Sequence, residues 1–120
     1  MRLWSVNVDA HGDSYFGTVE ASDPPGSTKE RLFPYAYWQV WETQPGHFAD
    51  FKTVDTPKCL VLMTGKLEVT VSTGEKRYFS RGDTFFLQDV RGKGHTIRTI
   101  GREATQVMYM TMKGLVAERA

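Results

Sequence analysis

The chain has 120 residues, of which 40% are hydrophobic; that fits one domain with a packed core and falls short of a membrane protein. Fifteen basic and 14 acidic residues leave a formal charge of +1, which argues against a general nucleic-acid or acidic-membrane surface. No run approaches the ~20 apolar residues of a membrane span, no apolar segment follows a basic start, and the one cysteine, Cys59, excludes an internal disulfide. The expectation is a single domain over residues 1–120 in the cytoplasm.

Strand signals dominate in chain order. Leu3 to Val8 and Tyr15 to Ala21 read as short strands, and the Pro34 to Thr43 run (PYAYWQVWET) is rich in aromatic and β-branched residues. Lys58 to Thr64 follows. In the next segment Leu67, Val69 and Val71 alternate with Lys66, Glu68 and Thr70, a period of two. Lys76 to Ser80, Asp83 to Gln88, His95 to Ile100 and Ala104 to Met112 complete the set. Turn residues separate them, among them Gln44-Pro45-Gly46, Ser72-Thr73-Gly74 and Arg91-Gly92-Lys93-Gly94. Two hairpins are predicted, one around Gly65 and one around Thr73-Gly74-Glu75. Helical candidates are short, near Ser27 to Leu32 and in the C-terminal tail. Many short, evenly spaced strands point to a sandwich or barrel.

The most informative pattern is Gly46-x5-Lys52-x-Val54-x3-Lys58-x6-Gly65. Its spacers match the first motif of the cupin superfamily, G-x5-H-x-H-x3-E-x6-G, in every length. Further on, Gly82 opens and Gly92-x2-His95-x3-Thr99 closes a stretch similar to the second cupin motif, with a longer gap and no proline. The run Asp89-Val90-Arg91-Gly92-Lys93-Gly94-His95 looks like the D-x-x-G-K-G-H variant of some small bacterial cupins. The chain thus resembles small single-domain cupins of the RmlC-like type, from about Tyr37 to Met112. The resemblance implies an all-β, cupin-type jelly-roll barrel of two antiparallel sheets. It also implies a homodimer, for which the Leu3 to Val8 strand is a candidate pairing edge.

Cupins of this kind bind a metal through two His, one Glu and a further His. Here the first three positions carry Lys52, Val54 and Lys58, and only His95 remains. Two ammonium groups repel a cation, and a transition metal needs about three suitable donors. The reading is therefore a barrel with no metal and no other cofactor. Strand alternation puts residues 52, 54 and 58 on the face of Leu60 and Leu62, which favours inward lysines, although the apolar Cys59, Val61 and Met63 leave parity undecided.

Inward, partly desolvated lysines attract a carboxylate, enolate or phosphate. The alternative is a plain salt bridge to a carboxylate such as Glu42 or Asp89. His95 is the candidate acid or base, since imidazole moves protons near neutral pH; a core histidine without function is the competing reading. Trp38 and Trp41 have opposite parity, so at most one faces inward, and the aromatics, Tyr109 among them, mostly fill the core. Met108, Met110 and Met112 share one face, and Cys59 reads as a buried small hydrophobe. His11 and His47 fall in turns.

The leading expectation is a small anionic ligand held by Lys52, Lys58, Trp41 and Tyr109, with His95, Lys52 and Lys58 supporting metal-independent proton transfer of the isomerase, cyclase or lyase type. A non-catalytic small-molecule-binding cupin and a metal-dependent oxygenase or isomerase are the alternatives. Neither a nucleic acid nor a membrane is expected as partner.

Overall fold

The computed structural model describes residues 2–20 and 38–120. Among these residues there are eleven strands: β1 Arg2–Val8, β2 Ser14–Glu20, β3 Trp38–Thr43, β4 Phe48–Lys52, β5 Lys58–Thr64, β6 Lys66–Val71, β7 Lys76–Ser80, β8 Thr84–Leu87, β9 His95–Ile100, β10 Thr105–Thr111 and β11 Ala117–Arg119. No helix among them is long and apolar enough to cross a membrane. A seven-stranded sheet runs β11-β2-β1-β8-β5-β10-β3 and a four-stranded sheet runs β4-β9-β6-β7. All pairings are antiparallel except β1 with β8. The chain is all-β, as its alternation pattern implied.

Period-two patterning builds the interior. Leu67, Val69 and Val71 of β6 meet Leu60 and Leu62 of β5, Phe85 and Leu87 of β8, and Val107 and Tyr109 of β10 in one core cluster. Phe79 of β7 stacks on Phe85 of β8 across the two sheets, with ring centroids 4.1 Å apart. A second cluster lies on the other side of the large sheet, where Val19, Phe86 and Met112 pack with Leu115 and Ala117. The C-terminal segment covers this patch, which accounts for burial of Met112.

Several expectations change. The segments flanking Gly65 do not pair. β5 lies in the large sheet and β6 in the small one, so Gly65 is a corner between sheets rather than a hairpin turn; the β6–β7 hairpin does form. The C-terminal tail is extended, because Ala117–Arg119 completes the edge of β2. β1 is hydrogen-bonded on both sides, to β2 and β8, so it is an interior strand and offers no edge to a partner. Phe48–Lys52 is a strand that local patterning missed. Phe85, Phe86 and Tyr109 fill the interior, but Trp38, Trp41, Phe48 and Phe51 are exposed, on β3 and β4, which among the described residues are the end strands of their sheets. The candidate helix at Ser27 to Leu32, the beginning of the Pro34 to Thr43 run, and Tyr35 and Tyr37 lie outside the described residues.

Gly65 and Gly74 both have positive φ, +80° and +94°, but only Gly65 is crowded: a Cβ there would come 2.6 Å from Thr105 Oγ1 and 2.9 Å from the Ala104 carbonyl oxygen. Gly74→Ala is expected to cost about 1 kcal/mol, the left-handed backbone alone. Gly65→Ala adds an overlap with backbone and should cost about 3 kcal/mol or more. Urea unfolding of the two variants measures the difference; equal losses would contradict the corner packing.

Candidate functional site

The site forms where two connections cross between the sheets. One, residues 53–57, leads from β4 to β5; the other, residues 88–94, leads from β8 to β9. They are joined by a backbone bond from Val54 N–H to the Asp89 carbonyl, 3.2 Å. Gly94 lies against the main chain of Lys52: a Cβ at Gly94 would sit 2.3 Å from the Lys52 carbonyl. With φ of +77° as well, position 94 requires glycine for both space and backbone conformation. Ser14 Oγ donates to the Gly94 carbonyl oxygen at 2.7 Å and fixes the turn from the β2 side. The second glycine of the G-K-G-H run thus lets the chain press against β4, while the first, Gly92, packs on Gly12 in the turn between β1 and β2.

This contact sets Lys52 opposite His95. Ala49 pairs with Ile97 and Lys52 with His95, so three steps along β4 match two along β9, the mark of a bulge. Without the extra residue, Lys52 would point to the other face from Ala49. The parity argument that placed residues 52, 54 and 58 on one face does not apply, since Lys52 and Lys58 belong to different sheets and residues 53–57 are not strand. The two lysines still converge, one from each sheet, on a cavity of about 270 Å³ lined by Trp41, Val54, Asp55, Leu60, His95 and Tyr109 among others. All five sequence-predicted residues, Trp41, Lys52, Lys58, His95 and Tyr109, line it.

The lysines differ. Lys52 is exposed at the mouth. The Lys58 side chain is only 13% exposed, with Nζ 2.6 Å from Asp55 Oδ1 and 5.7 Å from the centre of the Tyr109 ring. The hydrogen bond from Lys58, then its charge, holds the Asp55 carboxyl below its ordinary value. A carboxyl lowered by folding favours the native state above its unfolded pKa, so this pair is intact at neutral pH and opens as pH falls through the folded value. Neither Glu42 nor Asp89, the carboxylates anticipated from sequence, pairs with either lysine in a salt bridge; for Lys58 that place is taken by the turn residue Asp55, three positions earlier.

Asp89 is committed elsewhere. His95 Nδ1 lies 2.5 Å from Asp89 Oδ2, and the two side chains are 1% and 0% exposed. The other carboxylate oxygen, Oδ1, is buried without a hydrogen-bond partner among the described residues. In the tautomer whose Nδ1–H donates to the carboxylate, the lone pair lies on Nε2. A buried acid with one strong partner fixes the ring's tautomer and orientation while His95 lines the cavity. Asp89 is the residue sequence reasoning undervalued. Its signal was its place six residues before His95, across glycines that permit chain reversal.

Other lining residues complete the picture. Of the two tryptophans of β3, Trp41 is the one that faces the cavity, its ring 4.9 Å from that of Tyr109 although 37% of the residue remains exposed; Trp38 is 60% exposed. Tyr109 Oη donates to Gln39 Oε1 at 2.5 Å. His47 is exposed in the turn before β4 and lines a second cavity of about 370 Å³, which shares Trp41, Lys52 and Ile97 with the first. His11 is in an exposed turn away from both.

The EutQ-like cupin domain family matches residues 35–96, just over half of the chain. The chain belongs to this family. Similar solved structures include the cupin domain of Schizosaccharomyces pombe Cnp3, 22% identical over 84% of this chain and 73% of that one, with a TM-score of 0.55. A DUF861 family protein from Thermotoga maritima is 23% identical over 66% and 78%, TM-score 0.50. A cupin domain from Bordetella pertussis is 15% identical over 94% of each chain, TM-score 0.50. At these identities the likeness concerns the fold. No curated protein matches the chain.

The residues of this cupin do not fit the metal that such barrels commonly hold. Two ammonium groups and an isopropyl group stand at three of the four ligand positions, and neither kind of group has a lone pair to give. Among the described residues no three His, Cys, Asp or Glu side chains gather where they could hold a metal ion.

Two outcomes follow from this geometry. Asp89→Ala removes the one hydrogen bond holding a buried imidazole and is expected to cost about 2–3 kcal/mol in urea unfolding; a loss within error of zero would mean the pair carries no stability. Burial pushes the half-buried Cys59 thiol up to about 11 from 9.0. At pH 8 that leaves roughly a hundredfold less thiolate, so Ellman's reagent should label the native protein about a hundred times more slowly than the urea-unfolded chain.

Proposed function

We propose that this cupin binds a small organic anion in the cavity between Lys52, Lys58 and His95, and that His95 transfers a proton to or from it without a metal. The observation that carries this reading is the buried Asp89–His95 pair on a cavity flanked by two ammonium groups. An ionised carboxylate beside His95 Nδ1 stabilises the imidazolium that forms when Nε2 takes a proton. The lysines supply fixed positive charge where an enolate or other anion would develop, in a site partly withdrawn from water. Trp41 and Tyr109 bound the ligand sterically. Isomerase, cyclase or lyase chemistry would suit such a site, since each can proceed by proton transfer alone.

One observation favours a second reading, a binder without turnover. Lys58 is already neutralised by Asp55, so an arriving anion gains less from that lysine than from a free one. Asp55 is itself largely exposed, at 79%, and can swing into solvent at little cost. We also propose a homodimer. If it forms by sheet extension, its edges would be β3 or β11 of the large sheet rather than β1.

Calorimetric titration with acetate, pyruvate and inorganic phosphate tests the anion site. Lys52→Met and Lys58→Met should each weaken binding about tenfold, the order of a charge-assisted contact. His95→Gln should retain binding but abolish enzyme-accelerated deuterium exchange at the carbon next to the carbonyl of pyruvate, followed by proton NMR. Binding that survives both lysine substitutions would sink the anion site, and exchange unaffected by His95→Gln would sink the acid–base role.

A further inference from the structure

The two adjoining cavities differ in chemistry, and the difference defines a class of ligand. We infer that the ligand is an amphipathic monocarboxylate: its head lies by Lys52, Lys58 and His95, and an apolar body extends over Leu67, Ile97 and Val107. This rests on the anion-binding reading above and adds the shape and polarity of the rest of the molecule.

The larger cavity, about 370 Å³, continues from the smaller across Trp41, Lys52 and Ile97, which line both. Part of its lining is core hydrocarbon: Leu67 of β6 and Val107 of β10 are buried core residues and Ile97 of β9 packs against their cluster, while β3 and β4 supply most of the rest. The two hydroxyls on its wall, Thr43 Oγ1 and Thr99 Oγ1, bond to each other at 2.7 Å, which uses one of their two O–H donors. The remaining titratable groups, Glu42 and His47, are exposed and sit on the outer part of the lining.

A small polar anion seated by His95 would leave this chamber filled with water against hydrocarbon. A ligand with an apolar body displaces that water and gains roughly fourfold in affinity for each methylene buried, from about 0.8 kcal/mol per group. Trp41, at the junction of the chambers, offers a ring face to a planar body. A second carboxylate at the far end would meet apolar walls and the Glu42 charge, so dicarboxylates are disfavoured.

The test is calorimetric titration of the whole protein with acetate, butanoate, hexanoate, adipate, 3-phenylpropanoate and hexan-1-ol. Affinity should rise roughly fourfold per methylene from acetate to hexanoate. 3-Phenylpropanoate should match or exceed hexanoate, and adipate should bind at least about tenfold more weakly than hexanoate. Ala49→Gln narrows the larger chamber and adds a polar amide to it without placing a charge by Lys52; it should weaken hexanoate at least about tenfold and leave acetate unchanged. Ala49→Leu serves the same purpose by bulk alone should the first variant fail to fold by circular dichroism. Acetate and hexanoate binding equally would overturn the amphipathic proposal while leaving the anion site standing. Hexan-1-ol binding as tightly as hexanoate would overturn the assignment of the head group. Failure of every carboxylate to bind at millimolar concentration would remove the anion reading underneath.

Discussion

The hydrogen bond between Asp89 and His95 is the point on which the site depends. A carboxylate withdrawn from water is costly to keep, and here its compensation is a single short bond to an imidazole that is equally buried. The same residue, through its main-chain carbonyl, receives the Val54 N–H. Asp89 therefore holds together the connection out of β4, the connection out of β8 and the start of β9. The cavity sits where these three meet.

Around that bond, close backbone packing does the positioning. Gly94 has neither space nor conformation for a side chain, and its contact with Lys52 presses the end of β4 onto β9. A one-residue bulge then turns Lys52 toward His95. Lys58 arrives from the opposite sheet, with its charge met by Asp55 and its ammonium 5.7 Å from the centre of the Tyr109 ring. A spacing that in other cupins delivers metal ligands here delivers two cations and a histidine held by an acid. The barrel scaffold is the same, but ammonium groups, one of them paired with Asp55, stand where a cation would need lone-pair donors.

The family resemblance and the structure agree about architecture because both reflect the same alternation. β6, with Leu67, Val69 and Val71 inside and Lys66, Glu68 and Thr70 outside, could be read directly. β4 could not, since Phe48, Phe51 and Lys52 show no period of two, and the strand exists through its pairing with β9. The C-terminal strand is a similar case: three residues with no β signal of their own are held by the open edge of β2. Gly65 was visible as a turn, but whether the strands on either side pair or part is decided by partners far along the chain, β10 and β9.

What the amino-acid order determined alone is the all-β class, most strand positions, the glycine framework of the cupin motifs and the replacement of three ligand positions by Lys52, Val54 and Lys58. These are local properties, set by side-chain type and spacing. Tertiary structure decided which acid meets which base, Asp89 with His95 and Asp55 with Lys58, and that an apolar chamber adjoins the charged one. The acid–base pairs are brought within 3 Å on the crossings between sheets, and a bulge that resets strand parity turns Lys52 to the same cavity; no periodicity along the chain encodes either.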